Sequence, residues 1–129
     1  QLKGLLGLLK GEVVQKDFKN TFLVSQREQL IPLKTGSIAY FFIDHGVVKA
    51  VHRDNQMYTV EGNLEDIQEQ LNPSVFYRAN RQCIVNREAI ANLKYYFNGK
   101  LIVSTNPVSR QRIVVSKAKA TDFKNWMSS

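Results

Sequence analysis

Five short runs rich in β-branched and aromatic residues follow one another between Thr21 and Glu61, and they constrain the fold of this 129-residue chain more than any other feature. The runs are TFLVS, LIPLK, SIAYFFID, VVKAVHR and MYTVE, and spacers of two to four residues separate them. Runs of this composition and length are typical of β-strands. Spacers this short join antiparallel strands, because a parallel crossover needs a dozen or more residues. The segment therefore predicts antiparallel hairpins or a meander.

Three further strands are expected near the end of the chain. The runs AIANLKYYF and KLIVST flank Asn98-Gly99, and an Asn-Gly pair between two such runs is a strong hairpin signal. A last β-branched run, Ile113 to Val115, follows the polar loop NPVSRQ. These strands extend the β pattern of the first half to most of the chain.

Two short helices accompany the strands. Asn63 and Ser116 are good N-caps, and each precedes a stretch with an apolar stripe at helical spacing. The stripes are Leu64, Ile67 and Leu71 in the first stretch and Ala120, Phe123, Trp126 and Met127 in the second. The patterns predict helices near 64–71 and 117–127. The predicted fold class is mostly β, with antiparallel strands in small sheets and these two helices.

Residues 1–20 differ from the rest, since leucines at roughly helical spacing are interrupted by three glycines. Each glycine costs a helix interior about 1 kcal/mol. We expect a linker that packs on this domain, on a neighbouring domain or on a second copy, with one domain over 21–129. The longest apolar run, 38–43, is far shorter than the roughly 20 residues of a membrane-spanning helix, so no membrane association is expected.

Residues capable of catalysis are few. The single cysteine, Cys83, is followed by Ile84-Val85, which is typical of a buried structural thiol. It cannot form an internal disulfide, which suits a reducing cytoplasm, the expected location. His45 and His52 have aspartate neighbours but form no complete metal-ligand set. We therefore expect a binding protein rather than an enzyme, with no cofactor and no metal.

The net charge of +7 is distributed unevenly. Residues 1–77 carry 8 Lys/Arg against 9 Asp/Glu, whereas residues 78–129 carry 10 against 2, Glu88 and Asp122. A basic surface confined to one stretch is expected for a polyanion partner, most often nucleic acid. A solvated basic face that aids solubility is the other interpretation of the charge alone.

The basic half begins inside the stretch FYRANRQCIVN, residues 76–86, where polar side chains interrupt an apolar segment. This stretch resembles the signature of the LytTR-type DNA-binding domain, the output module of LytR/AlgR-type bacterial response regulators. That signature reads aromatic, Arg, any residue, His or Asn, Arg, Ser or Gln, any residue, Ile or Val, Val, Asn. Residues IAYF at 38–41, YFNGK at 96–100 and FKNW at 123–126 add to the resemblance, which covers about 21–127.

The resemblance implies a mostly β fold without a recognition helix, in which loops enter the DNA major groove. In the family, side chains from three places reach the bases: the loop after the third strand, the His/Asn-Arg stretch and the start of the last helix. By resemblance Arg81 falls on the second place. Arginine is also the side chain best suited to bidentate contact with guanine. Residues 78–82 are expected to face outward, with Arg81 at their tip.

Two stretches compete for the third place, where the family motif reads Val-Ser-Arg. Residues 108–110 match in letters but precede a β-branched run, whereas Val115-Ser116-Lys117 precedes the predicted helix. Position relative to the helix favours Lys117 as a base-reading residue, and leaves Arg110 as a decoy or a phosphate contact. Lysine lacks the planar fork of arginine, so weaker base discrimination is expected there. The alternative is that Lys117 and Lys119 are only solvated.

The remaining candidate contacts are less specific. The first place corresponds to the loop 44–49, in which His45 and Lys49 are the candidates. Five side chains are expected to position the protein on phosphates or to support the site: Arg78, Asn80, Gln82, Arg112 and Lys119. A phosphate would also suit the start of the last helix, because helix N-termini attract anions.

The expected function is therefore sequence-specific DNA binding by a bacterial transcriptional regulator, as the effector half of a two-component response regulator. The partners implied by the resemblance are double-stranded DNA, a second copy of the chain on repeated sites and an upstream receiver domain. The rival interpretation is an interaction module that binds an acidic protein or an anionic surface through the basic half. An RNA-binding β domain is a third, although residues 76–86 lack paired exposed aromatics for base stacking.

Overall fold

Ten strands and two α-helices form within residues 17–129, the part of the chain that the computed structural model describes. The strands are β1 (Thr21–Gln26), β2 (Gln29–Lys34), β3 (Ile38–Asp44), β4 (Val47–His52), β5 (Met57–Val60), β6 (Phe76–Asn80), β7 (Cys83–Asn86), β8 (Ile90–Tyr95), β9 (Leu101–Thr105) and β10 (Ile113–Val115). The helices are α1 (Leu64–Gln70) and α2 (Lys117–Met127). The mostly β, antiparallel fold class is confirmed. Most of the expected linker 1–20 lies outside the described residues.

The strands form a seven-stranded sheet in the order β2-β1-β5-β4-β3-β7-β6 and a three-stranded sheet in the order β10-β9-β8. Every pair of neighbours is antiparallel. The predicted meander holds for β3 to β5 and for β8 to β10. The β1–β2 hairpin, however, joins the edge of β5, and β7 pairs with β3. Spacer lengths could not indicate these two distant pairings.

The large sheet is strongly curled. In a flat sheet β1 and β3 would lie about 14 Å apart, because β5 and β4 separate them. The rings of Phe22 in β1 and Phe41 in β3 are nevertheless 5.4 Å apart, edge to face. The β1–β2 hairpin therefore folds back over one face of the sheet, where it encloses apolar side chains that a flat sheet would expose.

Buried side chains form one cluster on each face of the large sheet. The first lies between the curled sheet and α1, and includes Phe22, Phe41, Val48, Leu64, Ile67 and Ile84. The second lies between the sheet, the three-stranded sheet and α2, and includes Tyr40, Phe42, Val85, Val103, Val115 and Phe123. The alternation of inward side chains along β3, with Phe41 on one face and Phe42 on the other, explains why this strand is buried throughout.

The helices begin where their caps predict. The Asn63 side chain accepts a hydrogen bond from the backbone N–H of Asp66 at 2.8 Å, and α1 ends one residue short of the predicted Leu71. Ser116 occupies the N-cap position of α2, although its hydroxyl makes no capping hydrogen bond. Within residues 17–129, neither helix has the length and apolar character needed to cross a membrane.

Tyr77 fixes α2 against β6. Its ring lies 4.9 Å from the ring of Phe123 and 5.1 Å from that of Trp126, and its hydroxyl donates to the Asp122 carboxylate at 2.6 Å. Burial first, and the Asp122 carboxylate second, raise the pKa of Tyr77 above its usual value. These contacts hold the helix that carries Lys117 in place.

Replacing Tyr77 with phenylalanine should lower the free energy of unfolding by about 1 kcal/mol, because only the hydrogen bond to Asp122 is lost. Urea denaturation would measure the change. Tyr95→Phe is the matched control, since that side chain is 84% exposed and should change stability by less than about 0.5 kcal/mol. Equal effects of the two substitutions would contradict the anchoring role of Tyr77.

Candidate nucleic-acid interface

The polar interruption at 78–82 is the end of a hairpin between β6 and β7. Arg81 and Gln82 form a two-residue turn and are both exposed. Asn80 shapes this turn, because its side-chain oxygen accepts from the Gln82 N–H at 2.7 Å and its amide donates to the Val114 carbonyl at 2.9 Å. Ala79 is fully buried, so the expectation that all of 78–82 faces outward is wrong for that residue.

Arg78 turns its guanidinium inward. The side chain is only 14% exposed and donates to the backbone carbonyls of Asn80 and Arg81, at 2.7 and 2.9 Å. It also reaches α1, where it contacts Gln68 at 3.0 Å and Glu65 at 3.2 Å. The outward orientation expected for 78–82 is therefore also wrong for Arg78, because its donors bind the protein's own carbonyl and carboxylate groups.

The start of α2 lies beside this hairpin. Lys117 is the first residue of the helix and is exposed, whereas Val108 to Arg110 lie in the loop before β10. The aliphatic stem of Lys117 passes so close to Gly99 that a Cβ there would lie 2.9 Å from it. Lys119 donates its ammonium to the Arg78 carbonyl at 3.2 Å, which ties the first turn of α2 to β6.

A shallow pocket of about 490 Å³ separates the hairpin turn from the helix start. Its lining residues are Ala79, Asn80, Arg81, Lys100, Val114, Ser116 and Lys119, and no acidic side chain is among them. Lys100 was not among the candidates from the sequence. The sequence did contain an indication that Lys100 belongs to the site, because Lys100 directly follows Asn98-Gly99 and lies within the basic half, 78–129. We call Arg81, Lys100, Arg112, Lys117 and Lys119 together the basic surface.

Arg112 belongs to the basic surface through Tyr96. Its guanidinium donates to the Tyr96 hydroxyl at 3.2 Å and lies 5.6 Å from the ring centre. The two acidic residues of the second half are engaged elsewhere. Glu88 forms an ion pair with Arg53 at 2.9 Å, and Asp122 accepts from Tyr77. Neither of these two acids therefore has its carboxylate paired with a cation of the basic surface.

The turn between β3 and β4 lies at the same end of the sheet as Arg81. The Ile43 N–H donates to the Gln82 carbonyl at 3.0 Å, and the Gln111 amide donates to the Ile43 carbonyl at 3.2 Å. His45 stands at the tip of this turn with 94% of its side chain exposed, 2.8 Å from Asp44. His45 can therefore approach the same ligand as Arg81.

Lys49 is placed differently from the expectation. The expected loop 44–49 is only a two-residue turn, His45-Gly46, because Val47 already begins β4. Lys49 is half-buried within that strand and donates to the Thr59 hydroxyl at 2.8 Å. A two-residue turn with positive φ at His45 and Gly46 matches the twist of the flanking strands, which explains the short connection.

Arg110 lies apart from the basic surface. Its N–H donates to the Tyr40 hydroxyl at 3.1 Å, and its guanidinium donates to the Asn55 carbonyl at 3.0 Å. Asn55 belongs to the β4–β5 turn, at the opposite end of β4 from His45. The structure thus brings Arg81, Lys100 and Lys119 around one pocket. Lys117 lies next to it against Gly99, and Arg112 is connected to it through Tyr96, whose N–H donates to the Lys100 carbonyl at 2.9 Å. His45 lies on the neighbouring turn, and the Arg110 side chain is directed away.

Cys83 is a buried free thiol, and the histidines form no metal-ligand cluster in the described residues. Cys83 is 3% exposed, and burial raises its pKa to about 12, so the thiol stays protonated at neutral pH. No group of three or more His, Cys, Asp or Glu residues that could hold a metal ion occurs within 17–129. The buried structural thiol expected from the sequence is therefore present.

Comparisons with known proteins identify the family and the fold of this chain. A profile of the LytTr DNA-binding domain family matches residues 28–128. The sensory transduction protein LytT of Oceanobacillus iheyensis is 28% identical over 109 residues, covering 79% of this chain and 44% of that protein. The transcriptional regulatory protein LytR of Staphylococcus aureus is 30% identical over 81 residues, covering 62% and 32%. The chain thus spans less than half the length of these curated relatives.

A solved structure shares the fold. The LytTr DNA-binding domain of a putative methyl-accepting/DNA response regulator from Bacillus cereus superposes with a TM-score of 0.75 at 18% identity, covering 86% of this chain and 99% of that one. At this identity the likeness concerns the fold alone. The family indicated by residues 76–86 is confirmed by the profile, which extends from β1–β2 to the end of α2. The chain belongs to the LytTr DNA-binding domain family.

Proposed function

We propose that this chain binds double-stranded DNA in a sequence-specific manner, as the effector part of a bacterial response regulator that controls transcription. The observation that carries this proposal is the basic surface, in which Arg81 projects from a rigid turn beside the first turn of α2. Positive charges at the N-terminus of a helix interact unfavourably with the helix dipole. A DNA phosphate bound there would offset this repulsion, because it attracts both the helix N-terminus and the lysines. The proposed activity is binding, without a catalytic step.

The residues divide by chemistry into two roles. Arg81 and Lys117 are proposed to contact bases, since arginine can bind guanine O6 and N7 through two parallel hydrogen bonds. Lys100, Arg112, Lys119 and Gln82 are proposed to contact phosphates, which position a protein without reading sequence. Asn80 stabilises the turn, because its side-chain oxygen accepts from the Gln82 N–H. His45 would approach a neighbouring part of the duplex. Lys49 lies within β4 and would only support this turn.

We propose that the DNA-binding domain, residues 21–129, is one part of a longer protein. Residues 1–20 would link residues 21–129 to an upstream receiver domain, and two copies would bind repeated sites in the cytoplasm. The names of the relatives, sensory transduction protein LytT and transcriptional regulatory protein LytR, support a role in signal-dependent control of transcription. The share of each relative that is matched supports a longer protein, because more than half of each lies outside the matched region.

Selection of sites from a random duplex library tests the proposal. We expect one sequence pattern to be enriched, and its affinity to exceed that of random duplex by at least about 10³-fold at physiological salt. The logarithm of affinity should fall linearly with the logarithm of salt concentration, by about 0.9 per phosphate contact. Binding without any enriched sequence would contradict sequence recognition. Displacement of duplex by polyglutamate at equal charge concentration would instead favour the interaction-module interpretation.

A further inference from the structure

We propose that Arg78 is a positioning residue that holds the Arg81 turn in the conformation needed to discriminate between DNA sequences, and that it does not contact phosphate. The proposal rests on the proposed function, because it assumes that Arg81 reads bases. It changes the role expected from the sequence, where a cation beside Arg81 suggests a second contact with the DNA backbone.

The first observation is how Arg78 binds the turn. Its Nε donates to the Asn80 carbonyl at 2.7 Å, and its Nη2 donates to the Arg81 carbonyl at 2.9 Å. These carbonyls belong to consecutive residues, one before the turn and one within it. The guanidinium is planar and rigid, so binding both oxygens at once fixes their relative orientation. The backbone from which the Arg81 side chain projects is therefore held by Arg78.

The second observation is that α1 holds Arg78 from the other side. Nη1 donates to the Gln68 side chain at 3.0 Å, and Nη2 lies 3.2 Å from the Glu65 carboxylate. A hydrogen bond with its own backbone first, and the Arg78 guanidinium second, lower the pKa of Glu65, which keeps the carboxylate charged. Arg78 therefore connects the helix to the turn.

The third observation concerns donor capacity. A guanidinium has five N–H groups, and the contacts with Asn80, Arg81, Gln68 and Glu65 use four of them. The side chain is only 14% exposed. A phosphate contact would require breaking bonds that shape the turn. This arrangement suits support of a binding residue, because recognition geometry must be held within about 0.5 Å.

Replacing Arg78 with lysine separates the two roles. Lysine keeps the positive charge and binds phosphate well, but its single nitrogen cannot span both carbonyls and the helix. We expect Arg78→Lys to lower the ratio of affinities for selected and scrambled duplex by about tenfold, with the salt dependence unchanged. In the free protein, exchange of the Gln82 amide hydrogen should accelerate by about tenfold, because this amide donates to Asn80 within the turn.

Arg53→Lys is the matched control, since Arg53 also pairs with a carboxylate, that of Glu88, at 2.9 Å but belongs to the β4–β5 turn. It should leave both readouts unchanged. The double substitution Glu65→Ala with Gln68→Ala removes only the helix side of the contact. It should lower discrimination in the same direction by about threefold, provided that thermal melting shows the fold intact.

The outcomes distinguish this proposal from the proposed function. If Arg81→Ala abolishes discrimination while Arg78→Lys preserves it, the positioning role of Arg78 is wrong and the proposed function stands. If the unsubstituted chain shows no discrimination, the proposed function is wrong. If Arg81→Ala leaves discrimination intact, only the base-reading role of Arg81 is wrong, and unchanged Gln82 exchange in Arg78→Lys would overturn the structural role of Arg78 as well. A uniform loss of affinity in Arg78→Gln, with a salt slope reduced by about 1, would identify a phosphate contact instead.

Discussion

Replacing Asn86 with alanine should lower the free energy of unfolding by about 3 kcal/mol, because a fully buried polar junction would lose all of its side-chain partners. The Asn86 amide donates to the Ile38 carbonyl at 2.9 Å and to the Gly36 carbonyl at 3.3 Å, and its oxygen accepts from the Glu88 N–H at 2.9 Å. The residue is 1% exposed, so water cannot replace these bonds. The substitution would remove the amide donor that the Ile38 carbonyl binds at the start of β3.

Urea denaturation with a common slope would measure this loss. Asn92→Ala is the matched control, because Asn92 is exposed on β8 and should change stability by less than about 0.5 kcal/mol. A loss below about 1 kcal/mol for Asn86→Ala would contradict the role assigned to this junction. If the predicted loss is found, the last residue of the motif 76–86 stabilises the fold, whereas Arg81 at its centre is proposed to contact DNA.

Replacing Arg81 with alanine should cost about 1 to 3 kcal/mol of binding free energy on the selected duplex and much less on scrambled duplex. The reason is that Arg81 is exposed at the end of a hairpin that Asn80 and Arg78 hold rigid. In the proposed function Arg81 makes one bidentate base contact, and its loss would weaken binding only to the sequence that offers that contact. Competition titrations with labelled duplex at fixed salt would measure both affinities.

Arg27→Ala is the matched control for Arg81→Ala. Arg27 is also exposed in a two-residue hairpin turn, between β1 and β2. That turn follows Gln26, whose amide donates to the Met57 carbonyl, so it lies near the β4–β5 turn and away from the basic surface. We expect Arg27→Ala to leave discrimination unchanged. An equal loss in both variants would show that total charge, rather than the position of Arg81, determines binding.

The sequence predicted the local elements well because their signals are local. The Asn63 cap and the apolar stripe of α2 each act within a few residues, and each lies where it was expected. The hairpin at Asn98-Gly99 is also present, but β8 already ends at Tyr95, so a five-residue connection over 96–100 replaces the predicted two-residue turn. Strand order did not follow from such signals. The pairing of β1 with β5 depends on the curl that brings Phe22 to Phe41, and neither spacer length nor alternation encodes that curl.

The site could be predicted in part. Resemblance placed Arg81 and Lys117 within one family pattern, and the structure brings the residues around them into one pocket. The direction of each polar side chain at 78–82 could not be predicted, because the pairing of β6 with β7 is irregular between Arg78 and Asn80. This irregularity buries Ala79 and allows Arg78 to turn back towards α1. No residue type in the stretch indicates such a shift.

The most direct test of the basic surface is a map of backbone amide chemical shifts in the ¹⁵N-labelled chain as the selected duplex is added. The largest changes should fall at Arg81-Gln82, at 98–100 and at 116–119, with smaller changes at His45-Gly46. The turns at Arg27-Glu28 and 53–56 should remain unchanged. Changes concentrated at those two turns, with none at Arg81 or at the start of α2, would contradict the proposed interface.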